Sequence, residues 1–317
     1  MVSNKRKRLE KQILFFLSAG VFTFSTLYPV SVLNAAPSSL PAPVFGTGEG
    51  PDSVVGGVKC VASGEFSTAL GFKSVAIGKY SVAVGVFSEA QGENSSAFGR
   101  QSIASALDST AIGMINKAIG SASNAFGYGN ITEGFKSSGF GFSNKLENTS
   151  TEANTFGSYN EVNGNYSSAF GYYNQIGTLD DDKNDIQGVS FVRASAFGCR
   201  NEVNANDGSA FGRYNKVNAN DASAFGRINE ANGEYSSAFG YNNKTYEREY
   251  SAFGSSNDVK TAYSTAVGYR NIIAQSATNS YVLGANINLA LKDSVVLGSN
   301  STATAINTVT AHSSSSK

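Results

Sequence analysis

The residues able to do acid–base or metal chemistry are few and poorly spaced for it. The one histidine, His312, stands in the serine-rich tail Ala-His-Ser-Ser-Ser-Ser-Lys, so neither a histidine metal site nor a Ser–His relay can be assembled. Asp180, Asp181, Asp182 and Asp185 cluster in one segment. A calcium loop wants acids or amides at alternate positions and a glycine at the sixth; here Ile186 and Gln187 follow Asp185, which reads as a solvated loop. Glu161, Glu202 and Glu230 recur near a fixed register, but paired carboxylates for glycoside hydrolysis, about 5–9 Å apart, need a cleft to work in. Gly46-Thr-Gly48-Glu-Gly50 is not followed by a helical pattern, so a phosphate loop is not indicated. With no catalytic constellation in view, the expectation is a non-enzyme without cofactor or metal. A polysaccharide-cleaving solenoid is the catalytic alternative, and a long groove lined by charged residues would revive it.

The N-terminus has a basic head, Lys5 to Lys11, then an apolar run from Ile13 to Leu27 and the small residues Asn34-Ala35-Ala36. This is the layout of an export signal, expected over residues 1–36, and a spanning helix would need a longer apolar stretch. No later run could cross a bilayer as a helix, so no membrane-spanning segment is expected in the mature chain. Five of the 24 basic residues and one of the 24 acidic ones lie in this leader, leaving 19 against 23. A mildly acidic mature chain argues against nucleic acid as partner, which would call for a basic patch.

What positions the remaining residues is a repeat. Ala-Ser-Ala-Phe-Gly198, Gly-Ser-Ala-Phe-Gly212, Ala-Ser-Ala-Phe-Gly226 and Ser-Ser-Ala-Phe-Gly240 follow one another at intervals of fourteen residues, the mark of a stacked array. Small insertions precede Gly157 and Gly284, and a longer one, at about 178–190, separates Gly171 from Gly198. All five prolines fall at or before Pro51, as continuous strand stacking requires. Residues 37–66 read as a linker leading into the first coil, 67–301 as the array, and 302–317 as a Ser/Thr-rich tail. About sixteen coils at ~4.8 Å each would make a rod of roughly 75–80 Å. Cys60 and Cys199, the only cysteines, would stand many coils apart, beyond disulfide reach.

Within the five-residue phrase the fourth position is always large and apolar: Leu70, Ile77, Val84, Phe98, Ile112, Phe126, Phe140, Phe156, Phe170, Phe197, Phe211, Phe225, Phe239, Phe253, Val267, Leu283 and Leu297. Strand side chains alternate between faces, so the phrase has a small face and a bulky face. Three residues after the glycine stand Asn116, Asn130, Asn144, Asn160, Asn174, Asn201, Asn215, Asn229, Asn243, Asn257 and Asn271. Glycine and asparagine both tolerate φ > 0 and suit tight corners, and stacked asparagines can hydrogen-bond along a ladder. The third positions of the two halves, Ala against Val or Ala, would form a thin interior. The phenylalanines then point outward, and each ring left in water forgoes roughly 1.5–3 kcal/mol; so long an apolar stripe marks an interface between copies of the chain. The same alternation also allows the reverse, with Phe inside a fatter monomeric coil. The outer face of the second half is polar, and Glu161, Asn163, Glu202, Lys216 and Glu230 on it are candidate binding residues.

Ser-Val-Ala-Ile-Gly78 and Ser-Val-Ala-Val-Gly85, followed by the fourteen-residue period over about 67–301, resemble the YadA-like head repeats of trimeric autotransporter adhesins. The resemblance implies a left-handed parallel β-roll, three chains side by side, and adhesion to host matrix, host cells or other bacteria from the cell surface. Members of that family continue into a neck, a coiled-coil stalk and a β-barrel anchor. After the last repeat this sequence shows neither heptads nor amphipathic barrel strands, so a released or truncated head is expected, without its own outer-membrane anchor. A structural spacer or surface-assembly module lacking a ligand is the alternative function.

Overall fold

The computed structural model describes residues 47–177, 191–301 and 303. The expected signal segment, the acidic insert at 178–190 and His312 lie outside the described residues. Each coil supplies one five-residue strand, such as Ser209–Arg213, and one two-residue strand, such as Lys216–Val217. Within the array each strand pairs in parallel with its equivalents in the preceding and following coils. Phe211 lies opposite Phe197 and Phe225, and Val217 opposite Val203 and Ala231. Among the described residues seventeen long strands build one sheet and seventeen short ones the second. The protein is an all-β solenoid of fourteen-residue turns.

The choice left open by alternation is decided by size. Alanines at the third position, Ala196, Ala210, Ala224 and Ala238 among them, are fully buried, and Val203, Val217 and Ala231 face them from the short sheet. Two sheets joined by such short corners leave no room for a continuous row of aromatic rings between them, so the phenylalanines stand outside. A one-residue slip would turn every alanine out and every phenylalanine in, and the register therefore survives the insertions. Gly141 still pairs with Gly157, Gly171 with Gly198 and Gly268 with Gly284. Extra chain is accommodated at the corners, where Gly164–Asn165 pairs with Phe191–Val192 on either side of the long insert.

The corners are not built as their composition suggests. Positive φ recurs every seven residues, two residues after each repeat glycine and again half a coil later, as at Tyr214, Asp221, Ile228 and Tyr235. The residue that turns is thus the one before the ladder asparagine, and almost any side chain occupies it. A left-handed non-glycine residue costs about 1–2 kcal/mol. Here it reverses the direction of the backbone amide. Strand amides donate forward, Ser209 N–H to Ala222 O at 3.0 Å, while the corner amides donate backward, Tyr214 N–H to Cys199 O at 2.9 Å and Asp221 N–H to Asn206 O at 3.0 Å. The backward bond offsets the strain and ties each coil to the one behind it. Glycine is needed at the fifth position for another reason. At Gly212, φ is +119° and a Cβ would stand 2.0 Å from the Gly226 carbonyl oxygen.

Two points differ from the sequence expectation. Among the described residues, strand pairing is already present at Thr47–Gly48 and Val54–Val58, ahead of residue 67. Gly56 occupies the place where later coils carry the large residue, which hides the first turn from the pattern. Ile77 belongs to the other half-coil. The outward row passes from Leu70 directly to Val84, and Ile77 follows the short strand Val75–Ala76.

Candidate functional site

Three rows of side chains leave the coil, and each is made by the backbone register. The first is the phenylalanine column. From Phe126 to Phe253 each ring meets the next along the array, at centroid separations of 4.7–4.8 Å for the run Phe170, Phe197, Phe211, Phe225 and Phe239. Phe98 is 36% exposed and Phe156 59%; stacking covers the ring faces and leaves the edges to solvent. Serines such as Ser195 and Ser223, half-buried on the same outer face, flank the column with small side chains, giving a ridge that a neighbouring surface can approach closely.

Behind this row the asparagines form an internal ladder. Asn215 Nδ2 donates to Asn201 Oδ1 at 3.1 Å and to the carbonyls of Phe211 and Gly226 at 2.9 Å, while the Asn215 amide also donates to Asn201 Oδ1. The pattern runs from Asn116 to Asn271, crossing the insert at Asn174–Asn201 with a 3.0 Å bond. Each side chain is buried, with its amide and carbonyl both engaged. Earlier coils carry Cys60, Ser74, Ser88 and Ser102 in this column; the Cys60 thiol lies 3.1 Å from the Gly71 carbonyl, and both cysteines are free thiols.

The second row is the outer face of the short sheet, where the candidate binding residues lie. They are partnered among themselves. Lys216 Nζ is 3.0 Å from Glu202, Lys244 Nζ is 2.8 Å from Glu230, and Lys145 reaches Glu161 at 3.6 Å. Asn163 accepts a hydrogen bond from Thr149. The Glu230 carboxylate, hydrogen-bonded to Lys244, holds that ammonium above its ordinary pKa. Signs alternate along the array from Glu202 through Lys216 and Glu230 to Lys244 and Asp258, so cross-strand neighbours attract.

The third row was not singled out in the sequence. It occupies the two positions after each repeat glycine, where the long strand ends and the corner begins. Tyr128 stacks on Phe142 at 4.9 Å, Phe142 meets Tyr159, and Tyr159 meets both Tyr172 and Tyr173. Beyond the insert arginines join: Arg200 lies over Tyr173 and Tyr214, Arg213 over Tyr214, and Arg227 over Tyr241, at 5.0–5.7 Å from the ring centroids. Arg200 Nη1 donates to the Tyr214 hydroxyl at 2.7 Å. The hydrogen bond from Arg213 first, and that from Arg200, hold the Tyr214 phenol below its ordinary pKa. A shallow hollow of about 330 Å³ opens beside this row, lined by Tyr173, Gln175, Arg200, Asn201 and Glu202. The signal was available in the sequence, but the two positions mix aromatic, basic and small residues and show no single repeated letter.

Compared with known families, the chain matches the YadA head domain repeat, in the two-copy form, over residues 62–88, 90–114, 218–243 and 292–309. It therefore carries YadA head domain repeats, which are typical of trimeric autotransporter adhesin heads and form a non-catalytic structural module. Proteins built on them are surface-exposed bacterial adhesins. No curated protein matches the chain significantly.

Proposed function

We propose that this chain is the head of a surface adhesin that works as a homotrimer. Three copies associate side by side through the phenylalanine column, each a left-handed roll, and the outward surfaces bind host matrix, host cells or other bacteria. Residues 1–36 direct export, and the array from about 67 to 301 is the head. The observation that carries the reading is the unbroken outward column from Phe126 to Phe253. A monomer would leave that stripe in water, whereas apolar surface on this scale is ordinarily covered by a partner. Identical coils present identical contacts, so binding gains through multivalency without a deep pocket.

The test is solid-phase binding of the purified protein to collagen, fibronectin, laminin and cultured cells. Saturable binding by the trimer is expected, and a folded trimer that binds none of them would refute the adhesin reading. A second reading, a spacer that displays other parts, draws on the self-paired carboxylates and lysines of the short sheet, which offer a ligand little unsatisfied charge. The solid-phase assay separates the two, since a spacer binds none of these ligands; replacing Glu161, Lys216 and Glu230 together then shows whether the short-sheet face takes part, adhesion falling if it does and staying unchanged if that face is passive.

A further inference from the structure

The charges of the coil are sorted between its two corner edges. At the two positions following each repeat glycine, from Val58 and Lys59 to Ser299 and Asn300, no residue is Asp or Glu. The opposite edge carries acids such as Asp108, Glu152, Asp207 and Asp221 at its turning positions. The arginines divide accordingly. Arg193 and Arg248, on the acidic edge, meet Asp207 and Glu234 at 2.6 and 3.8 Å. Arg100, Arg200, Arg213, Arg227 and Arg270, on the other edge, are exposed, and no carboxylate among the described residues pairs with them. Arg213 and Arg227 stand directly opposite each other on neighbouring strands, and Arg200 follows Cys199, the partner of Arg213. Like charges in register repel, and no carboxylate among the described residues offsets them. The rings of Tyr173, Tyr214 and Tyr241 fill the spaces between.

Resting on the adhesin reading, we propose that this acid-free edge is the binding site for a linear anionic glycan, a polysaccharide bearing sulfate or carboxylate groups. Guanidinium forks match such oxyanions in pairs. The exposed tyrosine faces offer flat apolar surface for sugar rings, whose C–H groups stack on an aromatic face. A rise of ~4.8 Å per coil sets successive cations at a spacing only an extended, regularly charged chain can follow. The three consecutive coils carrying Arg200, Arg213 and Arg227 form the centre of the site.

The experiment measures binding of heparin, chondroitin sulfate and neutral dextran to the purified protein by biosensor, across a range of salt. We expect heparin to bind, with affinity falling steeply as salt screens the contacts, and dextran not to bind. Combined Arg200→Ser, Arg213→Ser and Arg227→Ser replacement should weaken heparin binding by at least about tenfold. Lys145→Ser with Lys244→Ser, which removes cations already paired to carboxylates, should leave it unchanged. Serine already occupies the corner of Arg200 at Ser143 and Ser256 and the strand-end position of Arg213 and Arg227 at Ser158 and Ser255; should the triple variant nonetheless misfold, Arg213→Ser alone reads the same effect. Undiminished heparin binding by a folded triple variant would overturn the proposal, as would dextran binding equally well. A triple variant that loses its oligomeric state while its coils remain folded would assign the arginines to the interface and overturn it too. Adhesion to cells that survives removal of sulfated glycans would end this inference and leave the adhesin reading standing.

Discussion

Asn215 shows how much one side chain does in a coil this thin. It satisfies Asn201 below, the Phe211 carbonyl in its own coil and the Gly226 carbonyl above. Asn215→Ala would strand buried acceptors and also remove the oxygen that receives the Asn229 amide. We expect a loss of about 2–3 kcal/mol, read as a lower urea midpoint, with Asn215→Ser milder because Ser88 and Ser102 occupy this column in earlier coils. Tyr250 is the opposite case. It fills a first position that elsewhere holds serine, alanine or glycine, is fully buried, and its hydroxyl has no hydrogen-bond partner among the described residues. Burial pushes its phenol well above the ordinary value. Below pH ~10 the phenol is neutral folded or unfolded, and above it only the unfolded chain ionises. Stability should therefore fall as pH rises beyond ~10, less so in Tyr250→Phe, which melting temperatures between pH 8 and 11 would show. A decline of equal size in both proteins would clear Tyr250 of that role.

At the scale of the strand and corner, the sequence made half of the design readable. The fourteen-residue period and the placing of alanines and phenylalanines on opposite faces follow from Ser-x-Ala-Phe-Gly and side-chain alternation; which face turns inward is decided by the narrowness of the coil. The first coil escaped because Gly56 replaces the large residue, and Ile77 was placed in the wrong row because the two halves of an early coil read almost alike. The corners were illegible for a deeper reason. Their conformation is imposed by hydrogen bonds to the coil behind, not by local propensity, so Tyr, Arg, Ile and Asp all adopt it. Two substitutions separate propensity from packing. Gly212→Ala sets a methyl against the Gly226 carbonyl at positive φ and should cost about 3 kcal/mol or more. Ile228→Gly relieves a β-branched residue held at φ 60° and should stabilise by about 1 kcal/mol. Urea unfolding of both, compared with the parent, decides whether the corners are strained.

The described array is a one-dimensional stack in which each coil touches only its neighbours. Damage at one coil should lower stability locally and leave distant coils paired. Its surfaces divide the labour: an apolar column, a self-paired charged sheet, an acidic edge and an acid-free edge of aromatic and basic residues. Self-association through the column is the central claim. The direct test is sedimentation equilibrium of the purified protein at micromolar concentration, beside a variant carrying Phe197→Ser, Phe211→Ser and Phe225→Ser. The mass of three chains is expected for the parent, and dissociation into folded single chains for the variant. A parent that sediments as a folded single chain would contradict that claim.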